Sequence, residues 1–190
     1  MSLAIVLLAA GDSRRFQNIK QLAMIDGDML INRQLRQYIK LGLPIYLVLG
    51  AHRDEILTQI EQDLMAHIEL VLNLNWQQGM GHSIASAVTE ITRQQDYDHL
   101  MISLLDQAQI SVSELHNLIK QSVAHSDVIT CSEYDGEIGA PAIFPNHFFD
   151  SLRQLKGDEG AKQLIYRTHH KQMVNMPSAA FDLDTPEQLN

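Results

Sequence analysis

The chain has 190 residues, 45% of them hydrophobic, which is enough for one sizeable core, so we expect a single domain over residues 1–190. Its formal net charge of −9 argues against nucleic-acid and anionic-membrane partners, because phosphate-rich surfaces would be repelled. No apolar run reaches the roughly 18 residues that span a bilayer, and the N-terminus lacks the features of a leader, so a cytoplasmic location is expected. The single cysteine, Cys131, excludes an internal disulfide and is expected to be buried in a strand.

Short apolar runs alternate with longer amphipathic segments along most of the chain. In chain order, the runs that predict strands are residues 4–8, 44–49, 68–72, 99–104 and 128–131. The segments with helical periodicity are residues 31–41, 55–65, 83–93 and 113–123. This alternation predicts an α/β fold with a mostly parallel sheet covered by helices on both faces, and a site at the carboxyl ends of the strands.

The alternation fades after Gly136, where glycines and prolines interrupt the pattern. We therefore expect an irregular segment at about residues 136–165 with a role of its own.

A small-residue turn follows the first predicted strand, with the sequence LAAGDSRR at residues 8–15 and Lys20 shortly after it. Such a turn can present backbone N–H groups to a phosphate while nearby cations neutralise it. Neither G-x-G-x-x-G nor G-K-[ST] occurs, so the turn is not a dinucleotide-binding turn or a P-loop. The pattern predicts a triphosphate site that uses Arg15 and Lys20; the alternative is a solvated basic loop.

The motif Leu8-Ala9-Ala10-Gly11-x-Ser13-x-Arg15, followed by Lys20-x-Leu22, closely resembles the first motif of the molybdenum-cofactor nucleotidyltransferase-like family. Segments that resemble the later family motifs follow in order at residues 79–84, 106–107, 139–144, 155–162 and 182–189. The matches span nearly the whole chain, and an ordered series of this kind is specific. The resemblance implies a three-layer, doubly wound, Rossmann-like fold of the nucleotide-diphospho-sugar transferase type.

The resemblance also implies the reaction, a magnesium-dependent transfer of a nucleoside monophosphate from a triphosphate to a phosphorylated acceptor. Leu-Ala-Ala-Gly is similar to the cytidylyltransferase branch, whereas the guanylyltransferase branch usually has Leu-Ala-Gly-Gly, so CTP is expected as donor rather than GTP. Residues 157–162 are similar to the same branch. The implied acceptor is molybdopterin carrying molybdenum, with a molybdenum hydroxylase apoenzyme as a candidate partner.

The family resemblance, together with the chemistry of phosphoryl transfer, assigns roles to individual residues. Two anions must meet, so charge neutralisation and positioning are the main tasks, and Mg²⁺ with one or two carboxylates suits them. The expected catalytic residues are Arg15 on the β- and γ-phosphates, Lys20 at the α-phosphate, and Asp106. The expected metal ligands are Asp106 with Asp182 or Asp184. The expected nucleotide contacts are Leu8, Ala9, Ala10, Gly11, Ser13, Gly79 and Ser83, and the expected acceptor contacts are Gly139, Pro141, Gly157 and Asp158.

Several of these residues also have purely structural interpretations. Asp106 and Asp184 lie where turn or helix-capping aspartates are common, and the glycine loop before Ser83 could simply begin a helix. Trp76 could stack on a ligand or pack against the core.

Six positions depart from the family pattern. Leu105 stands where glycine is expected, Ala108 where proline is expected and Gln17 where glycine is usual. Gly81 and His82 stand where two small hydroxyl residues are common, and Ala140 stands where histidine is frequent. Leu105 and His82 are expected to add bulk beside the nucleotide, so either the pocket is reshaped or catalysis is weakened. Two alternatives therefore stand: a sugar- or polyol-phosphate nucleotidyltransferase, and a non-catalytic maturation chaperone that binds the molybdenum cofactor.

Overall fold

The computed structural model describes residues 1–13, 16 and 18–189. In this part of the chain the strands are β1 (Leu3–Ala9), β2 (Met24–Ile25), β3 (Asp28–Met29), β4 (Ile45–Leu49), β5 (Ile68–Leu72), β6 (His99–Leu104), β7 (Ile129–Tyr134), β8 (Glu137–Pro145) and β9 (Lys171–Asn175). The α-helices are α1 (Leu30–Ile39), α2 (Arg53–Gln59), α3 (Gln62–Met65), α4 (Met80–Gln94), α5 (Val112–Ala124), α6 (Phe149–Arg153) and α7 (Lys162–Arg167). Short 3₁₀ turns occupy Lys20–Leu22, Trp76–Gln78, Asn146–Phe148, Pro177–Ala180 and Pro186–Leu189.

Seven of the strands form one sheet in the order β5-β4-β1-β6-β8-β7-β9, while β2 and β3 pair separately. The β5-β4-β1-β6 part is parallel, β8 is antiparallel to both of its neighbours, and β7 is parallel to β9. The carboxyl ends of β1 and β6 therefore lie side by side at one edge of the sheet. The predicted mostly parallel α/β fold is confirmed.

The sheet is buried on both faces, which explains why its central strands are continuously apolar. Successive residues of β1 alternate between two apolar clusters, since side chains along a strand point to opposite faces. One cluster is covered by α1, α2, α3 and α5, and the other by α4, α6 and α7. Cys131 is buried in β7, as predicted. None of the helices in the described residues is long and apolar enough to cross a membrane.

The prediction of one continuous helix at residues 55–65 is wrong, because the helix is interrupted at Ile60, between α2 and α3. This residue has extended backbone angles and a buried side chain that joins the core. The Asn32 carboxamide bridges the break: it donates to the carbonyl of Gln59 at 3.0 Å and accepts from the backbone N–H of Glu61 at 3.3 Å. These bonds satisfy backbone groups that a continuous helix would have paired internally.

The prediction of an irregular segment from residue 136 is also wrong at its start, where β7 and β8 form a hairpin. The two-residue turn is Asp135-Gly136, and both residues have positive φ, 48° and 78°. Asp-Gly is a strong signal for this type of turn, so the hairpin was readable from the sequence. The nine residues of β8 then enter the main sheet between β6 and β7.

Candidate active site

A cavity of about 470 Å³ lies at the adjacent carboxyl ends of β1 and β6. All seven residues expected to contact the nucleotide line it, together with Lys20, Asp106, Asp158 and Asp184. Arg15 lies outside the described residues, as does Gln17. The structure therefore brings together segments that lie far apart in the chain, although these site assignments remain predictions.

The turn after β1 is organised by a side chain that the sequence did not single out. Gln21 is buried and donates from Nε2 to the carbonyls of Ala9 and Gly11, each at 2.9 Å. Its Oε1 accepts a hydrogen bond from Ser13 Oγ at 3.1 Å, and this hydroxyl also accepts from the backbone N–H of Lys20 at 3.1 Å. Ser13 itself has a positive φ of 57°. These bonds fix the turn, and only its position between two motif residues set Gln21 apart in the sequence.

The cationic end of Lys20 lies between two carboxylates. Lys20 Nζ is 2.6 Å from Asp106 Oδ2 and 3.6 Å from Asp184 Oδ1. Asp106 lies just beyond β6, where the backbone N–H of Leu105 donates to the carbonyl of Leu8 and extends the parallel pairing. The backbone N–H of Leu183 donates to the carbonyl of Asp106 at 2.9 Å, so the segment carrying Asp184 is attached directly to the end of β6.

The neighbouring carboxylate, Asp182, has a perturbed pKa. Partial burial raises the pKa of Asp182 to about 6, and repulsion from Asp106 and Asp184 adds to this effect. The side chain nevertheless keeps contact with solvent. Three carboxylates thus share the region around one lysine, and a bound divalent cation would relieve their mutual repulsion.

The carboxylates around Lys20 fit a divalent metal such as Mg²⁺, because Asp106 and Asp184 already converge on the lysine ammonium group. In residues 1–13, 16 and 18–189, no three His, Cys, Asp or Glu side chains are placed to hold a metal by themselves. Mg²⁺ commonly uses one or two protein carboxylates and completes its shell with water and substrate phosphates. Asp106 with Asp184 or Asp182 would supply such a pair of carboxylates.

The second glycine loop contacts the 156–158 segment directly. The backbone N–H of Gly81 donates to the carbonyl of Gly157 at 2.7 Å. A Cβ added to Gly79 would lie 2.4 Å from the Gly157 backbone and from Asp158 Oδ1, and Gly79 has a φ of 94°. This loop must therefore be glycine-rich to let the two segments approach. It also begins α4 at Met80, so the structural interpretation of the loop holds as well.

Two residues in this region combine packing with exposure to the cavity. Ser83 is buried, and its hydroxyl accepts a hydrogen bond from Asn73 Nδ2 at 2.9 Å. Trp76 is half-buried against the core and also lines the cavity. Its Cβ lies 2.5 Å from the position that a Cβ on Gly50 would take, so Gly50 makes room for the tryptophan.

The expected acceptor contacts divide into two groups. Asp158 lines the cavity, whereas Gly139, Pro141 and Gly157 are not among the described residues that do. The carbonyl of Pro141 accepts a hydrogen bond from Ser132 Oγ inside the sheet. Gly139 packs against the hydroxyl of Tyr134, which would lie 2.6 Å from a Cβ at that position.

Gln107, a motif residue to which the sequence assigned no separate role, links the Asp106 turn to these outer segments. The Nε2 of Gln107 donates to the carbonyl of Ala140 in β8 and to the carbonyl of Ala179, at 3.0 and 2.9 Å. Its position beside Asp106 in the motif was the available signal.

The departures from the family pattern have different consequences. Leu105 does line the cavity, as expected. His82 lies in the first turn of α4 and lines a second cavity beside β5, together with Gly157. The expectation that His82 adds bulk beside the nucleotide is therefore wrong. Ala108 is buried in the core.

Known proteins share both the sequence pattern and the fold. The family described as MobA-like NTP transferase domain matches residues 5–173. The purine catabolism protein PucB of Bacillus subtilis (strain 168) is 28% identical over 165 residues, which cover 84% of this chain and 78% of PucB.

Solved structures agree with this match. A homologue of Mycobacterium tuberculosis Rv0371c from Mycobacterium sp. strain JC1 has a TM-score of 0.81 at 27% identity, covering 97% of this chain and 91% of its own. The manganese complex of Rv0371c has a TM-score of 0.73 at 21% identity, covering 92% and 88%. The molybdopterin-guanine dinucleotide biosynthesis protein A of Archaeoglobus fulgidus has a TM-score of 0.66 at 15% identity, covering 98% and 94%, and shows a shared fold. Since the family match spans most of the chain, the protein belongs to the MobA-like NTP transferase domain family.

Proposed function

We propose that the protein transfers CMP from CTP to molybdopterin carrying molybdenum, with Mg²⁺ as the metal and pyrophosphate as the second product. The observation that carries the proposal is the position of Lys20 Nζ between Asp106 and Asp184, at a cavity that the β1 turn also lines. Such an arrangement offers backbone, ammonium and carboxylate groups to one triphosphate and its metal. A molybdenum hydroxylase apoenzyme is the proposed recipient of the product.

The chain's residues would act mainly by positioning charge. An oxygen of the acceptor phosphate attacks the α-phosphorus of CTP, and the bond from that phosphorus to the oxygen bridging the β-phosphate breaks. Lys20 would move from the carboxylates to the α-phosphate, where negative charge develops, and Arg15 would bind the β- and γ-phosphates. Asp106 with Asp182 or Asp184 would hold Mg²⁺, which supplies further neutralisation of charge when bound. No general base is needed, because the acceptor phosphate is already ionised.

The choice of CTP rests on the first turn. Ala10 lines the cavity where the guanylyltransferase branch has a glycine, and its buried side chain packs close to Gly50, 3.0 Å from the position that a Cβ on Gly50 would take. We propose that this methyl group, by packing against Gly50, sets the position of the turn and thereby favours a pyrimidine over the larger purine. We therefore expect tighter binding of CTP than of GTP.

The acceptor side is proposed to involve Asp158, with Gly139, Pro141 and Gly157 shaping the surrounding segments. The contact between Gly81 and Gly157 supports this arrangement, since it joins the nucleotide loop to the 156–158 segment.

The first experiment is a nucleotide panel with Mg²⁺, read by thermal shift and by fluorescence of Trp76, which is the only tryptophan in the chain. CTP should stabilise the protein most and should change the Trp76 emission. Equal or greater stabilisation by GTP would contradict the cytidylyl assignment.

The second experiment measures pyrophosphate released from CTP in the presence of the molybdenum-loaded pterin. Lys20→Ala should lower the rate about a hundredfold while weakening CTP binding much less, because its contact strengthens in the transition state. Lys40→Ala, at an exposed lysine that follows α1, is the matched control and should keep the wild-type rate. Tight binding of the pterin without release of pyrophosphate from any triphosphate would instead favour the non-catalytic chaperone. Turnover only with sugar or polyol phosphates would favour a sugar- or polyol-phosphate nucleotidyltransferase.

A further inference from the structure

The carboxamide of Gln21 fills the inside of the turn after β1. The residue is only 3% exposed, and both ends of the carboxamide are hydrogen-bonded. The Nε2 group binds the carbonyls of Ala9 and Gly11, and Oε1 accepts from Ser13 Oγ. One side chain thus binds three successive parts of the turn from the protein side.

This arrangement matters because a carbonyl oxygen repels a phosphate, whereas an N–H group attracts it. Two of the turn's carbonyls, at Ala9 and Gly11, are directed to the amide of Gln21 and so are held away from a bound anion. Without that donor, both oxygens would lose a buried partner and would gain by turning toward the cavity and its water.

The same side chain is connected to the catalytic lysine. Lys20 and Gln21 are consecutive residues of one 3₁₀ turn, and the backbone N–H of Lys20 donates to Ser13 Oγ, which in turn donates to Gln21 Oε1. The carboxamide therefore points into the β1 turn while the lysine reaches Asp106 at 2.6 Å. Both halves of the triphosphate site depend on the same short turn.

We infer that Gln21 is a positioning residue that keeps the β1 turn in its anion-binding conformation. The inference rests on the proposed function, because it takes the cavity to be a triphosphate site. The ligand concerned is the phosphate chain itself, so the effect should not depend on the nucleobase.

The test compares two buried carboxamides in the same protein. Gln21→Met keeps the length and bulk of the side chain but removes its hydrogen bonds. Asn32→Leu does the same at the break between α2 and α3, where Asn32 also makes two backbone hydrogen bonds. Both variants should melt at a lower temperature. The dissociation constants for CTP with Mg²⁺ and for inorganic tripolyphosphate with Mg²⁺ should rise about tenfold in Gln21→Met and stay unchanged in Asn32→Leu.

If Gln21→Met does not fold, Ser13→Ala provides the second measurement, since it removes the hydroxyl that links Gln21 to the backbone of Lys20, at a position that also lines the cavity. This variant should bind tripolyphosphate and CTP more weakly, to a similar extent for both ligands. Unchanged affinity for both would overturn the proposal. If the wild-type protein binds CTP and a folded Gln21→Met variant binds it with the same affinity, the positioning role of Gln21 is refuted, while the triphosphate site itself is not. Failure of the wild-type protein to bind either tripolyphosphate or CTP would instead refute the triphosphate site, and the inference with it.

Discussion

A methyl group at Gly81 tests the contact between the second glycine loop and the 156–158 segment. Gly81 lies in the first turn of α4, and glycine-to-alanine substitution inside a helix usually stabilises by about 0.5–1 kcal/mol. Here the new Cβ would lie 2.8 Å from both the N and the O of Lys156, and 2.9 Å from its carbonyl carbon. These neighbours are backbone atoms, so they cannot swing aside as the end of a flexible side chain could.

The expected change in the free energy of unfolding is the difference between a steric cost and the gain in helix stability. Forcing a methyl group into a closed contact typically costs about 1–3 kcal/mol, which exceeds the helical gain. We therefore expect Gly81→Ala to lower the free energy of unfolding by about 1–2 kcal/mol. For a chain of this length that corresponds to a fall in Tm of about 2–8 °C. The displaced 156–158 segment should also weaken the 2.7 Å hydrogen bond from Gly81 to Gly157 and slow nucleotidyl transfer.

Calorimetric melting and pyrophosphate release measure the two effects separately. Gly42→Ala is the control: its φ of 66° also disfavours alanine, but an added Cβ there meets nothing within 4 Å. This variant should lose stability and keep the wild-type rate of transfer. A Gly81→Ala protein with a raised Tm and an unchanged rate would show that the two segments are not closely packed, and would refute the reasoning.

Three further substitutions test the carboxylate cluster. Asp106→Asn should abolish magnesium-dependent turnover with unfolding still cooperative, and near-normal turnover at limiting magnesium would remove Asp106 from the metal site. Lys20→Met should bind Mn²⁺ without nucleotide about tenfold more tightly, because no ammonium then competes for Asp106 and Asp184; calorimetric titration showing equal affinity would contradict this. The pKa of Asp182 is raised from 3.8 to about 6, so its carboxyl group holds a proton more tightly in the folded than in the unfolded protein. Its charged form therefore lowers the stability of the folded protein. Metal-free Asp182→Asn should thus be more stable than wild type at pH 7.5, with the difference shrinking as the pH falls through 6 toward 4; chemical denaturation showing a constant difference would argue against the shift.

Much of the fold was encoded in local sequence pattern. Continuous apolar runs such as β1 predict strands buried on both faces, and this physical requirement produced the parallel sheet between two helical layers. Where the local pattern misled, a tertiary contact was responsible. Ile60 has the correct spacing for a helix, but its side chain is drawn into the core and Asn32 satisfies the broken backbone.

The sequence by itself determined the position of the small-residue turn after β1 and of Asp106 after β6, because both follow directly from strand-length runs. Only the tertiary structure decided what lies around them. Leu183 attaches the late aspartates to Asp106, and Gln21 turns its carboxamide into the β1 turn. The reason is that residue periodicity reports the local course of the chain, whereas these contacts depend on where long connections return across the sheet. His82 illustrates the difference, since it neighbours Ser83 in sequence but faces another cavity.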